Sequence, residues 1–189
     1  MKKFFALMLI LAIIIVSVIL IFSGSGLPTE IQVEDFTVYL GITEIGDLLE
    51  AGFSLVHINQ IGGAWEGQEY IPFYADFTKN GQNYRIHLYT PWSGNMFIDD
   101  EFEQVLIDGF VGRMSFRLGD LESGHAFYNG VDVTDITPEV LEGWGRTQRP
   151  DSGTLQLTAG KIRVDLRRTT VGGDYTVHIS MRMDAFPNR

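Results

Sequence analysis

Residues 37–53 read TVYLGITEIGDLLEAGF, and the fold turns on this stretch. Phe36, Val38 and Leu40 alternate with Thr37 and Tyr39, which predicts a half-buried strand. Gly41 breaks it. Thr43 is placed to cap a helix, with Glu44 and Asp47 suited to the positive end of its dipole. Ile45, Leu48 and Leu49 fall at i, i+3 and i+4, so one face is apolar. Gly52 suits the position just past the helix end, and Phe53 can pack back on that face. A helix of about two and a half turns is marginal alone in water, so it needs a sheet to dock on. A looser echo, NGVDVTDITPEVLEGWG, occupies 129–145. There Thr137 caps, Pro138 sits at N1 and Glu139 in the first turn. Val140 and Leu141 give apolar contact, and Gly143 or Gly145 ends the helix around Trp144.

Antiparallel hairpins follow each of these stretches. FSLVHIN continues the first as a strand. EYIPFYADFT, KNGQ and NYRIHLYT then form a hairpin about Asn80-Gly81, a pair suited to a type I′ turn. That turn puts Phe77 opposite Tyr84, Asp76 opposite Arg85 and Ala75 opposite Ile86. Pro72 belongs at an edge or a strand start. QVLIDGFVGRMSFRL is mostly β-like, with a break expected at Gly109 or Gly112; Gln104 to Ile107 reads equally as a helical turn. After the second helix, RTQRPDSG reads as a polar connector. TLQLT, KIRVDLRR and DYTVHISMRM read as a three-stranded meander. Its shared apolar face is Leu155, Leu157, Ile162, Val164, Leu166, Val177, Ile179, Met181 and Met183. A turn at Gly173-Asp174 would set Asp165 opposite Arg182 and Arg163 opposite Asp184. The expected fold class is α+β, an antiparallel-sheet domain with short helices on one face. The two helix stretches raise a division into two tandem α/β-hairpin units, 30–120 and 121–189.

The N-terminus is different in kind. Lys2 and Lys3 precede an apolar run from Phe4 to Phe22, broken only by Ser17. A spanning helix needs about 20 such residues and a cleaved signal usually about 7–15, so the run predicts an uncleaved transmembrane anchor. A removed signal peptide is the other reading. The lysines favour the cytoplasmic side, which puts residues 30–189 outside the membrane on a short SGSGLPT tether. The segment 1–25 thus covers the anchor and the tether's start. The chain carries a net charge of −10, and about −12 once the two anchor lysines are set aside. So acidic a body disfavours nucleic acid as a partner. There is no cysteine, which excludes disulfides, thiolate metal sites and a cysteine nucleophile.

The Thr37–Phe53 stretch, with YNGVDVTDITPEVLEGWG, resembles a pattern of uncharacterised exported or membrane-anchored proteins of Gram-positive bacteria. Gly41, Thr43, Asp47, Leu48, Ala51, Gly52 and Phe53 match it. The turn-and-helix unit is also similar to the β-lactamase-inhibitor-protein-like fold and to small outer-membrane assembly lipoproteins. That similarity implies protein–protein contact and brings no catalytic residues. The chain departs from the lipoproteins in having no lipid-accepting cysteine, and Pro138-Glu139 replaces the longer helix start of the first stretch.

Catalytic signals are sparse. His57, His87, His125 and His178 are scattered, with no HExxH spacing. Only His125, with Asp120 and Glu122 nearby, resembles an acid–base or metal grouping, and an ordinary polar loop explains it better. Asp99, Asp100, Glu101 and Glu103 lack the spacing and glycine of a calcium loop. None of the serines sits in a nucleophile elbow, and Gly62-Gly63 is no phosphate loop. Neither cofactor nor metal is expected. Trp65 and Trp92, with Tyr70 and Tyr89 beside them, are the candidate binding residues, because aromatics at loop tips often anchor a partner. The function expected is non-catalytic protein binding or envelope scaffolding, with another envelope or secreted protein as partner. A ligand-binding or sensor module and an envelope hydrolase are the alternatives.

Overall fold

The computed structural model describes residues 26–60, 70–91, 109–151, 153–168 and 174–182. The anchor segment 1–25, Gln104 to Ile107, the acidic run 99–103, Gly62-Gly63, Met183 and Asp184 lie outside them. Among the described residues no helix is long and apolar enough to cross a membrane.

The elements in chain order are β1 (Glu30–Val33), β2 (Phe36–Tyr39), α1 (Ile45–Glu50), β3 (Ser54–Gln60), β4 (Tyr70–Lys79), β5 (Gln82–Pro91) and β6 (Phe110–Arg117). There follow β7 (Ala126–Tyr128), β8 (Val131–Asp132), a 3-10 turn (Val133–Asp135), α2 (Pro138–Trp144), β9 (Thr147–Asp151), β10 (Thr154–Ala159), β11 (Ile162–Arg168) and β12 (Tyr175–Met181). The architecture is α+β, mostly antiparallel sheet with few helices. One sheet has the order β2-β1-β7-β8, the other β3-β4-β5-β6-β12-β11-β10-β9.

Both orders are symmetric. Match β1 with β7, β2 with β8, and β3 to β6 with β9 to β12, and each sheet reads the same from either edge. The central pairs set Gln32 opposite Phe127 in the small sheet and Ser115 opposite His178 in the large one. Each sheet therefore draws strands from both sides of residue 121. A single contiguous core joins them. It takes Phe73, Phe77, Ile86, Phe116, Ile179 and Val164 from the large sheet, Ile31, Val33 and Val38 from the small one, and Ile45, Leu48 and Leu141 from the helices.

The hairpin has the expected register throughout, from Ala75 opposite Ile86 to Thr78 opposite Asn83. Asn80 and Gly81 have φ of 51° and 81°, as a type I′ turn requires. Arg85 grips Asp76 through two hydrogen bonds of 2.8 and 3.0 Å. Pro72 is the third residue of β4, one beyond the position where Gln60 ends the pairing with β3. Between His87 opposite Arg113 and Leu88 opposite Val111, Gly112 has no partner, so β6 bulges at one of the two expected glycines.

The first helix is shorter than expected and starts one residue later. Glu44 is the cap, and its N–H donates to the Asp47 carboxylate at 2.8 Å. Thr43 is occupied elsewhere: its hydroxyl accepts from the Tyr39 N–H at 2.8 Å. Leu49, expected on the apolar face, is 42% exposed, while Ile45 and Leu48 are buried. The helix end is as expected. Gly52 has φ of 86°, its N–H reaches the Leu49 carbonyl, and the Phe53 N–H reaches the Leu48 carbonyl. This double bond pattern is a Schellman ending. It turns Phe53 inward, edge-on to Phe36 and Tyr84, with the Lys79 ammonium 4.9 Å from its ring centre. In α2 the Thr137 hydroxyl accepts from the Val140 N–H, Pro138 opens the helix and Leu141 is buried, as read.

Two further expectations are corrected. The connector after α2 is the edge strand β9, whose pairing with β10 shifts between Thr154 and Gln156. Its polar composition and Pro150 hid it, yet both suit an edge. The β11–β12 register also differs: Asp165 faces His178, not Arg182, and Arg163 faces Ser180, not Asp184. The apolar face survives, because the slip is an even number of residues and side chains alternate with period two. All its described members are buried.

Candidate functional site

The four candidate aromatics do not gather into a described surface. Trp65 and Trp92 lie outside the described residues. Tyr70 opens β4, paired with Pro91, and its side chain is likewise outside them. Tyr89 is described and is not at a rim. It is 9% exposed and stacks on Phe110 with ring centres 6.1 Å apart. β5 runs on to Pro91, so Tyr89 is a strand residue, and the bulge at Gly112 brings Phe110 opposite it.

An open aromatic surface lies instead on the small sheet. The β1–β2 hairpin buries Ile31, Val33 and Val38, so the alternate positions, Thr37 and Tyr39, face outward. Tyr39 is 43% exposed, Phe127 of β7 38% and Ile42 60%. Two shallow depressions, of about 470 and about 410 Å³, share Thr37 and Tyr39 as their common wall. Phe127 lines the first, Phe36 and Ile42 the second. The charged residues in their linings are Glu30, Asp47 and Glu50, all acidic. The neighbouring edge of β2 is closed by its own turn at one end. The Tyr39 N–H is held by Thr43, and the Tyr39 carbonyl accepts from the Thr43 N–H at 2.9 Å. Addition of a long strand there is disfavoured. Alternation in FTVY marks Tyr39 as outward, whereas AFY is apolar throughout and gives no sign that Phe127 faces out. That two strands 88 positions apart would share a surface is not written in either segment.

His125 does meet carboxylates, though not the expected pair. Its Nδ1 is 2.8 Å from Glu34 and its Nε2 3.7 Å from Glu122, while Asp120 binds Arg117 at 3.3 Å. Neither depression includes His125. Glu34 sits in the β1–β2 turn with φ of 56° and a side chain only 8% exposed. It accepts from the Tyr84 hydroxyl at 2.5 Å and from Asn80 at 3.0 Å, and its N–H donates to the His125 carbonyl. Burial pushes the Glu34 carboxyl up, but the hydrogen bonds from Tyr84, Asn80 and His125 outweigh it and hold it below its ordinary value. The grouping ties the small sheet to the tip of the β4–β5 hairpin. Glu34→Ala is expected to lower stability by about 2 kcal/mol in denaturant melts, since it strips a charged acceptor from a buried hydroxyl. A change under about 0.5 kcal/mol, the scale of an ordinary surface substitution, would show the grouping to be solvated.

The outer face of the large sheet carries two adjacent polar rows. One runs Asp76, Arg85, Ser115, His178, Asp165 and Gln156 in register across six strands. The other runs Tyr74, His87, Arg113, Ser180 and Arg163. Ser115, His178 and Asp165 thus stand side by side, and Ser115 Oγ lies 2.8 Å from His178 Nδ1. A nucleophilic relay needs the acid on the imidazole's other nitrogen. The Asp165 carboxylate is instead held by Arg163 Nε at 2.9 Å and Gln156 at 2.8 Å. The row is a hydrogen-bonded polar ladder without that relay. No family model, curated protein or solved structure matches the chain.

Proposed function

We propose that this is a membrane-anchored, extracytoplasmic module that binds another protein without catalysis, through the Tyr39–Ile42–Phe127 surface. The observation that carries the reading is three exposed apolar side chains around two depressions lined by acidic and no basic residues. Tyrosine between two hollows is a typical anchor position, because its ring supplies contact area at low entropic cost. The acidic lining selects a partner segment with lysine or arginine beside an apolar residue. The anchor reading rests on Lys2, Lys3 and the 19 apolar-rich residues from Phe4 to Phe22. Mirrored strand order in both sheets supports two related units, 30–120 and 121–189, as in the β-lactamase-inhibitor-protein-like pattern.

The test is photocrosslinking in the native membrane from a reactive residue at Phe127, followed by mass spectrometry. A reproducible protein partner is expected, and Tyr39→Ala should weaken its binding by about tenfold or more. The melting curve should barely move, since the ring is 43% exposed. Capture that is absent, or unchanged by Tyr39→Ala, would count against this surface.

A further inference from the structure

The arginines on the outer face of the large sheet differ in one respect. Arg85 is neutralised by Asp76, and Arg163 by Asp165, each through two hydrogen bonds. Arg113 lies between them in the second row. Its direct neighbours across the strands are His87 and Ser180, neither of which can supply a negative charge. The Ser180 hydroxyl donates to the Arg163 carbonyl at 3.2 Å and forms no hydrogen bond with the Arg113 Nε. The Arg113 side chain is part-buried, and its Nε is fully buried with no hydrogen-bond partner. A guanidinium cannot shed its proton, so it stays charged. Among the described residues this leaves a partly desolvated cation with no counter-ion, which is costly as it stands.

The neighbours sharpen what is missing. His87 and His178 are kept neutral first by burial and next by the charge of Arg113. The carboxylates nearest these rings, Asp76 and Asp165, are engaged by Arg85 and Arg163, so among the described residues Arg113 is left without an anionic acceptor. On the far side of the Ser115–His178 row, Arg117 and Arg167 flank Thr176, with Arg117 held by Asp120.

We infer that Arg113, flanked by His87 on the outer face of the large sheet, is a binding site for a small oxyanion group, a phosphate or a carboxylate. The planar guanidinium fork matches two oxygens of either group. His87 Nδ1 or Nε2 can donate one further hydrogen bond. The site is separate from the Tyr39 surface, which lies on the small sheet, and it does not depend on that reading.

The experiment uses the full chain in neutral detergent micelles with isotope-labelled histidine, followed by NMR at pH 7. Inorganic phosphate and acetate are titrated separately, with sodium chloride at matched ionic strength as the control. The ring signals of His87 and His178 should move saturably with phosphate, acetate or both, and those of His57 and His125 should stay. A response to one anion alone identifies the group bound. Arg113→Gln should weaken the response by about tenfold or more, the scale of a charged hydrogen bond. Arg113→Lys, which keeps the charge and loses the fork, should weaken it less. Melting curves confirm that both variants are folded. The wild-type comparison with chloride needs no variant. If chloride moves the signals as far as phosphate and acetate do, or neither oxyanion moves them, the inference is overturned. It is also overturned if a folded Arg113→Gln responds as the wild type does.

Discussion

Acidifying the protein from pH 7 to pH 4 is expected to remove about 3 kcal/mol of folding stability for each of two histidines, His87 and His178. Both imidazoles are driven from the ordinary 6.5 down to about 4, chiefly by burial and then by the Arg113 charge. His87 also feels His178 and Arg85, with Asp76 opposing; His178 feels Arg167 and Arg163, with Asp165 opposing. Above pH 6.5 both rings are neutral whether the chain is folded or not, so they contribute nothing to the pH dependence. Below it the unfolded chain takes up two protons that the folded one refuses, and stability falls until about pH 4. Whole domains are stable by about 5–15 kcal/mol, so the pair can take the protein close to unfolding. Denaturant melts at several pH values measure the slope directly. His87→Gln with His178→Gln should flatten it. A wild-type profile that is already flat between pH 6.5 and 4.5 would mean that these rings are solvated. Glu34 acts in a lower window, since its stabilisation is present above the ordinary carboxylate value and is lost as pH falls through its lowered one.

Leu48→Ala is expected to cost about 2–5 kcal/mol, the range for emptying a core leucine site. Leu48 is completely buried, and its carbonyl accepts the Phe53 N–H that closes the helix. The void would open in the core cluster that also holds Phe53 and its edge-on partner Tyr84. Leu49→Ala, one residue on, should change stability by less than about 0.5 kcal/mol, because that side chain is 42% exposed. The two variants therefore read the helix face. Equal losses, or a loss under about 1 kcal/mol at Leu48, would rotate α1 relative to the core.

The sequence was most legible where local chemistry had one solution. Asn80-Gly81 allows a single tight turn, and with it ten cross-strand pairs of β4 and β5 follow. Gly52 and Phe53 likewise marked the end of α1. Legibility failed where alternatives were close in energy. Any even slip of β12 along β11 keeps the same apolar face inward, so only pairs such as Asp165 with Arg182 argued for a register. Such pairs contribute about 1 kcal/mol or less. The actual pairing is carried by the neighbouring strand as well, with Ser115 bonding His178 across 63 positions. Thr43 has the side chain of a cap, but the Tyr39 N–H claims it and Glu44 caps instead. Tyr89 belongs to the strand segment NYRIHLYT beside the Trp92 loop, and nothing in that segment shows that its ring is buried against Phe110. The Tyr39–Phe127 surface and the Arg113 row exist only once distant strands are neighbours, which no window of sequence displays.

The mirrored sheets also set the order in which the chain can finish folding. Neither sheet is completed by the first 120 residues, because β1 still waits for β7 and β6 for β12. β12, the last of the described strands in chain order, fills the middle of the large sheet and not its margin. Pairings this remote carry a high contact order, and chain-closure entropy must be met before they are rewarded. During synthesis the open flanks of β6 and β11 therefore persist until Tyr175–Met181 has emerged. A chain arrested before that point would offer two unpaired central edges to other chains, the kind of surface from which aggregation starts.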